Sequence, residues 1–169
     1  MSLLLQTERL NIRYFTPDDA AFVLRLLNEP SFHQYIGDRK VRTLSDAVNY
    51  INNRLIASYS NHGYGLYMIE LKDGTPVGMC GLVKRDPSED PDVGFAFIPE
   101  VWRQGYAYEA ASEIMHYARK TLALKRILGV TVPDNISSVK TLEKLGLIFL
   151  RSDVSKDTQE AISVYEILL

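Results

Sequence analysis

A strand-like segment at residues 93–98 leads through a short turn directly into the longest helical pattern of the chain, at residues 105–122. Apolar side chains recur in this pattern at three- and four-residue spacing, which predicts a helix with one buried face. Much of that face is alanine, so the helix is expected to pack closely against its neighbours. A strand, a glycine turn at Gly105 and a buried helix in this order require a layered structure in which the helix covers a sheet.

Further strands and helices are predicted on both sides of this junction. Strands are expected at residues 10–14, 66–71, 76–83, 126–132, 147–151 and 161–169, and helices after Thr16, from Thr43 through Leu55, and at residues 137–145. Thr16 is expected to cap the first helix and Thr43 or Ser45 the second. The second helix is expected to bury an apolar stripe of Leu44, Val48, Ile51 and Leu55. An Asp73-Gly74 turn between two apolar runs predicts that residues 66–71 and 76–83 form a hairpin. The alternation of strands and helices in the second half indicates an α/β or α+β fold with a mixed sheet.

Composition limits the class of protein. With 169 residues and no repeat, linker or low-complexity tract, residues 1–169 are expected to form a single domain. The formal net charge of -2 argues against direct binding of nucleic acid. Apolar runs are too short for a membrane span, and no secretory leader is expected. The single cysteine, Cys80, excludes an intramolecular disulfide and suits a reducing cytoplasm.

The turn before the long helix is a candidate site for an anion. Backbone N–H groups in the first turn of a helix lack partners within the helix and lie at the positive end of its dipole. A phosphate placed there would be held by the backbone, and Gly105 would permit its close approach. Many strand-to-helix turns contain a glycine without binding anything, so this pattern alone leaves a plain connection equally open.

A second motif gives the first a specific interpretation. Asn135, Ser138, Glu143, Lys144 and Gly146 follow in the order N-x-x-S-x-x-x-x-E-K-x-G. Together with residues 93–108 this motif resembles the GNAT superfamily of acyl-CoA-dependent N-acetyltransferases. The resemblance is greatest to the branch typified by RimJ and RimL, which acetylate the N-termini of ribosomal proteins.

The resemblance covers nearly the whole chain. The Thr7-Glu8-Arg9-Leu10 segment and the Pro17-Asp18-Asp19 opening are similar to the N-terminal strand and helix of that branch. Two positions depart from the wider superfamily: Trp102 stands where Gln or Arg is usual, and Leu142 stands where many members have a tyrosine that donates a proton. The commonest general acid is therefore absent.

The resemblance implies a GNAT-type fold, with a central, mixed and mostly antiparallel twisted sheet flanked by helices. It also implies acetyl-CoA as the co-substrate, without a metal. The pantetheine arm would lie along the strand edge at Phe97 and Ile98, and the N–H near Phe97 would stabilise the oxyanion. Asn135 and Ser138 would contact the arm, although Asn135 would equally serve to begin a helix. The diphosphate would rest on the amides of Arg103, Gln104, Gly105, Tyr106, Ala107 and Tyr108.

Two residues are candidates for moving protons in a direct attack of an amine on the thioester. Asp92 is the candidate base, acting through water, and a solvated carboxylate at the end of a strand is the equal alternative. Ser138 is the candidate donor to the leaving sulfur, because Leu142 cannot donate. Capping or packing of a helix is the other role open to Ser138, with Ser137 as a competitor for the cap.

The expected reaction is acetyl transfer within a ternary complex to a primary amine, with a protein N-terminal α-amine as the leading acceptor. Acetylation of a small amine, a polyamine or an antibiotic is an alternative, and a catalytically silent acyl-CoA-binding module is another. The resemblance implies a monomer or homodimer. Acceptor determinants are expected at residues 32–42 and 59–64, with Tyr35, Tyr64 and Tyr67 as possible wall residues; Cys80 is expected to be a buried structural thiol.

Overall fold

The computed structural model describes residues 2–169 and contains one eight-stranded sheet with helices on both faces. The strands are β1 (Leu3–Gln6), β2 (Leu10–Arg13), β3 (Leu66–Leu71), β4 (Pro76–Val83), β5 (Asp92–Phe97), β6 (Arg126–Thr131), β7 (Ile148–Val154) and β8 (Ala161–Leu168). The helices are α1 (Ala20–Leu27), α2 (Pro30–Tyr35), α3 (Leu44–Tyr50), α4 (Ala57–His62), α5 (Tyr106–Lys120) and α6 (Ile136–Lys144). Within residues 2–169, no helix is both long enough and apolar enough to cross a membrane.

The strand order is β1-β2-β3-β4-β5-β6-β8-β7. Neighbouring strands are antiparallel except for β5 and β6, which are parallel. This confirms the expected mixed and mostly antiparallel sheet. The parallel pair arises because the chain leaves β5, crosses over through α5 and returns in the same direction as β6, as parallel neighbours require.

The two faces of the sheet are covered by different helices. Successive side chains of a strand point to opposite faces, so β5 contributes to both cores. Val93 and Phe97 pack with α5 in one core, whereas Ala96 and Ile98 pack with the N-terminal helices in the other. The buried face of α5 is the predicted one, and it includes Ala110, Ala111, Ile114, Met115 and Ala118.

The second N-terminal helix differs from its predicted stripe. Thr43 caps α3 as expected, in a capping box with Asp46. Leu44, predicted to be buried, is 56% exposed at the first position of the helix, whereas Ile51 and Leu55 of the same stripe are buried. The helix then continues through a π-helical segment, Ile51–Ile56, into α4, and neither the π segment nor the short α2 and β1 was predicted.

A buried ion pair joins the first strands to the first helix. Arg13 is 5% exposed and donates two hydrogen bonds to Asp19, at 2.9 and 2.8 Å, and one to Glu70, at 3.0 Å. Asp19 also accepts the N–H of Thr16 at 2.9 Å, which completes the capping box before α1. A buried charge is costly without its partners, so this cluster fixes α1 against the sheet.

Replacing Asp19 should therefore destabilise the fold. We expect Asp19→Ala to lower the free energy of unfolding by about 3 kcal/mol, because it leaves the Arg13 charge buried with one partner fewer. Asp153→Ala is the matched control, since it removes a carboxylate from an exposed pair with Arg151 and should cost about 1 kcal/mol or less. Urea unfolding followed by circular dichroism measures both, and equal losses would contradict the structural role.

Candidate active site

A cleft opens where the two parallel strands separate. β5 and β6 are in register at one position, Asp92 opposite Leu128, where the Leu128 N–H donates to the Pro91 carbonyl at 3.0 Å. Beyond that position the strands diverge, and no further residues of the pair are in register. The resulting cleft has a volume of about 1320 Å³ and reaches from the start of α5 to the N-terminal helices.

The edge of β5 that faces the cleft has free backbone groups. The Ile98 N–H donates to the Val77 carbonyl at 3.0 Å, and such bonds alternate along an antiparallel pair. Phe95 and Phe97 therefore direct their N–H and C=O groups away from β4, toward the cleft. The Trp102 indole already donates to the Phe97 carbonyl at 2.8 Å. The Phe97 N–H and both backbone groups of Phe95 remain for a ligand.

Ile98 differs from the expectation that it shares this edge with Phe97. Its N–H is bonded to β4, and its carbonyl accepts the Val101 N–H at 3.2 Å. The Ile98 side chain is buried in the core beneath the N-terminal helices and does not line the cleft. The alternation of the ladder thus assigns the free backbone position to Phe95 instead of Ile98.

The turn before α5 presents a row of free amides. Arg103 and Gly105 both have positive φ, 64° and 84°, so the backbone curls before the helix begins. Within residues 2–169, the amides of residues 103–108 make no hydrogen bond to backbone or side chain. Curled amides at a helix N-terminus form an anion site. Of the residues predicted here, Gln104 does not line the cleft, whereas Arg103, Gly105, Tyr106, Ala107 and Tyr108 do.

The hairpin between β1 and β2 holds this turn in place. Arg9 donates to Glu109 Oε2 at 2.7 Å and to the Gln104 carbonyl at 2.8 Å, and its Cζ lies 4.4 Å from the centre of the Tyr106 ring. Thr7 and the Arg9 N–H both donate to Glu109 Oε1, at 2.6 and 2.9 Å. Although burial opposes it, these hydrogen bonds lower the pKa of Glu109. We call these residues, Thr7, Arg9 and Glu109, the clamp.

Residues 7–10 are noted in the sequence only for their resemblance to a known family, and the clamp shows a physical role for Thr7 and Arg9. Arg9 and Glu109 are 100 positions apart, so no local periodicity connects them. A side chain added at Gly105 would lie 3.3 Å from the Arg9 guanidinium, so the turn and the clamp fit closely. The clamp lies behind the free amides, and it positions them without itself lining the cleft.

The wall of the cleft opposite β5 is formed in part by α6. Asn135 Oδ1 accepts the Ser138 N–H at 3.2 Å and so caps α6, the second of the two roles expected for Asn135. The Ser138 hydroxyl makes no hydrogen bond within residues 2–169 and lines the cleft. Leu142 is 1% exposed in the core and has no polar group to offer. The Ser138 hydroxyl therefore remains available as a donor, and its catalytic role stays a prediction.

Asp92 lies at the point where β5 and β6 separate. It is 3% exposed, and its two carboxylate oxygens each accept a hydrogen bond from Arg85 Nε at 3.0 Å. Burial raises the pKa of the Asp92 carboxyl, while the Arg85 charge opposes the rise. Asp92 is thus a buried, paired carboxylate lining the cleft, and not the solvated strand end left open by the sequence.

The far end of the cleft is formed by the N-terminal helices. Tyr35 lines it as expected. Tyr64 and Tyr67 do not, because they are buried, at 8% and 1% exposed, in the core that includes α5. The π-helical segment adds Asn53 and Arg54, which sequence patterns did not indicate. A π-helical turn is rare and often marks a functional site.

Cys80 lies in the core and does not line the cleft. Cys80 is 0% exposed, as expected, and burial raises the pKa of its thiol. Among residues 2–169, His, Cys, Asp and Glu form no group of three or more that would hold a metal ion.

Comparison with known proteins identifies relatives among the acetyltransferases. The profile of the acetyltransferase (GNAT) domain matches residues 9–148. Among curated proteins, the uncharacterized N-acetyltransferase YoaA of Bacillus subtilis is 28% identical over 147 residues, which cover 85% of this chain and 81% of that protein.

Two solved structures share the fold. An acetyltransferase of the GNAT family from Bacillus anthracis is 26% identical with a TM-score of 0.81, covering 97% of both chains. RimL, a ribosomal L7/L12 α-N-protein acetyltransferase in complex with coenzyme A, has a TM-score of 0.85 at 15% identity, covering 99% of this chain and 98% of its own. With a family profile matched over residues 9–148, the chain belongs to the GNAT family of acetyltransferases.

Proposed function

We propose that the protein transfers an acetyl group from acetyl-CoA to a protein N-terminal α-amine by direct attack in a ternary complex. The observation that carries the proposal is that one cleft is lined both by a strand edge with unpaired backbone groups and by a helix N-terminus with unpaired amides. The open edge of β5 at Phe95 and Phe97 leads toward the row of free amides at residues 103–108. An amide-bearing arm ending in a diphosphate is the type of ligand that matches both.

The residues present fit coenzyme A. Free N–H groups at residues 103–108 suit a diphosphate, since a helix N-terminus stabilises negative charge. Arg103, Lys140 and Lys144 also line the cleft and add positive charge, and Lys144 Nζ lies 4.1 Å from the centre of the Tyr108 ring. Phe95 offers one N–H and one C=O, so an amide of the arm could bond to it as a further strand would. Acetyl-CoA, when bound, supplies the activated acetyl group.

The chain itself orients the reacting groups and moves protons. The Phe97 N–H points into the cleft and is the proposed donor to the thioester carbonyl oxygen, where charge develops. Asp92 lines the cleft on the face of the N-terminal helices, and it is the proposed base that receives the amine proton through water. The free Ser138 hydroxyl is the proposed donor to the departing sulfur.

An α-amine is the acceptor most easily activated by such a site. Its reference pKa of about 7.7–8.0 lies well below the value of about 10.4 for lysine, so it loses its proton more readily near neutral pH. The shared fold with RimL, named for acetylation of a ribosomal protein α-amine, is consistent with this acceptor. A small amine or a polyamine is the second candidate. Cys80, a free and buried thiol, suits a cytoplasmic site of action.

Turnover is the direct test of the proposed function. Mixing the protein with acetyl-CoA and a panel of N-terminal peptides and small amines should release free thiol, read as coenzyme A with a thiol reagent. We expect Ser138→Ala to lower kcat by about tenfold or more while the Kd for acetyl-CoA stays unchanged, because the hydroxyl acts on the leaving group. Tight binding of coenzyme A without turnover on any amine would instead indicate a silent binding module.

The base is tested by the pH dependence of kcat. Asp92 accepts a proton only when ionised, so activity should fall as the pH drops through its raised pKa. Asp92→Asn should lower kcat by about a hundredfold and remove this acid limb. Arg85→Gln should move the limb to higher pH, because it removes the charge that lowers the pKa of Asp92.

Asp86→Asn is the matched control for this pair, since Asp86 lies on the same rim of the cleft with a side chain 97% exposed. It should leave both kcat and the acid limb as they are. Full activity of a folded Asp92→Asn variant would remove Asp92 from the mechanism.

The clamp should act on the affinity for acetyl-CoA. We expect Arg9→Ala to raise the KM for acetyl-CoA by about tenfold with a smaller change in kcat, because the free amides at residues 103–108 lose their fixed orientation. Arg119→Ala, an exposed arginine at the other end of α5, is the control. An equal fall in kcat with an unchanged KM would show that the clamp does not position the amides.

A further inference from the structure

Most of the carboxylates that line the cleft already have cationic partners. Glu29 pairs with Arg25 at 3.4 Å, Asp86 with Lys84 at 3.3 Å, and Asp92 with Arg85 at 3.0 Å. On the facing strand Asp153 lies 3.6 Å from Arg151. Asp134 and Asp157 also line the cleft, and within residues 2–169 these two carboxylates make no ion pair. A substrate with several ammonium groups would find few free carboxylates here.

Two arginines at the far end of the cleft have no such partner. Within residues 2–169, Arg39 and Arg54 make no ion pair and donate no hydrogen bond to another residue. Both line the main cleft, and both also line an adjoining recess of about 240 Å³, together with Lys40, Tyr50 and Asn53.

The recess has little negative charge of its own to balance these arginines. Asp46 is the carboxylate that lines it, and its Oδ2 already accepts the N–H groups of Arg42 and Thr43, at 2.9 and 3.2 Å. Asp46 thus serves to cap α3. The positive charge of Arg39 and Arg54 is left for a ligand.

Arg54 lies in a segment of uncommon backbone conformation, and Arg39 lies next to a residue with positive φ. Arg54 lies in the π-helical segment Ile51–Ile56, which widens the helix at this point. Lys40, next to Arg39, has a φ of 59°, a conformation that costs a non-glycine residue free energy and that persists where the surroundings require it. A side chain at Gly37 would lie 3.4 Å from both the Arg39 guanidinium and the Thr158 methyl, so Gly37 lies close both to Arg39 and to the loop between β7 and β8.

From this arrangement we infer that the acceptor carries a carboxylate near its amine, bound by Arg39 and Arg54, and that the substrate class is an N-terminal peptide with Asp or Glu soon after the α-amine. Arginine forms paired hydrogen bonds with a carboxylate, which gives both strength and orientation. A polyamine would meet unbalanced positive charge at the same place. This inference rests on the proposed acetyl transfer and specifies its acceptor.

Matched peptides test the inference. Three peptides with the same N-terminal alanine would carry Asp and Glu, Asn and Gln, or Lys and Lys at the next two positions. We expect kcat/KM to be about tenfold higher for the acidic peptide than for the neutral one, and lowest for the basic one, with the preference weakening in high salt. Arg54→Gln and Arg39→Gln should each raise the KM for the acidic peptide about tenfold and leave the KM for acetyl-CoA unchanged.

Arg119→Gln is the control, because it removes the same charge from the exposed end of α5, away from the cleft, and should change nothing. Equal kcat/KM for the three peptides, or Arg39 and Arg54 variants that keep the preference, would overturn the inference while leaving acetyl transfer intact.

A binding measurement separates this inference from the proposed function. Titrating the protein saturated with coenzyme A with the acidic peptide should show binding that Arg54→Gln weakens, whether or not turnover occurs. If no amine is acetylated, the proposed function fails; in that case binding of the acidic peptide would still support the carboxylate site, and absence of binding would overturn it.

Discussion

The rest of the structure depends on the separation of β5 from β6 after one paired position. Hydrogen bonding between neighbouring strands normally satisfies both edges of an interior strand. Here β5 and β6 are no longer paired beyond Asp92 and Leu128. The free edge at Phe95 and Phe97 lies inside the molecule, where an extended ligand can complete it without exposing the strand to other chains. The cleft, the free amides before α5 and Asp92 all lie along this opening.

Precise placement of the free amides depends on contacts from distant parts of the chain. The positive φ of Arg103 has a conformational cost, and the clamp from the β1–β2 hairpin supplies hydrogen bonds that hold the turn in this form. A site made of backbone atoms needs no charged side chains of its own. This explains how a protein with a formal net charge of -2 can present a site for a polyanion.

The acceptor end is built on a different principle. Its elements are a π-helical segment, a left-handed residue and the loop between β7 and β8, and the groups proposed to bind the acceptor are side chains. Such irregular segments on a rigid sheet can change without disturbing the fold, which suits a surface that selects the substrate. Most carboxylates of the cleft are paired, whereas Arg39 and Arg54 make no ion pair within residues 2–169, and this contrast is the basis for the proposed anionic acceptor.

The sequence by itself determined the features that depend on local pattern: strands β2 to β8, the buried alanine face of α5, the caps at Thr16 and Thr43, and the glycine turn at Gly105. Only the tertiary structure decided the features that depend on pairing between distant segments. The register of β4 and β5 turns the Ile98 amide away from the cleft and the Phe95 amide toward it, and no property of either residue reveals that choice. Contact between Arg9 and Glu109, the burial of Tyr67 and the burial of Asp92 follow from the fold in the same way, because a side chain's surroundings are set by residues that are near in space and far in sequence.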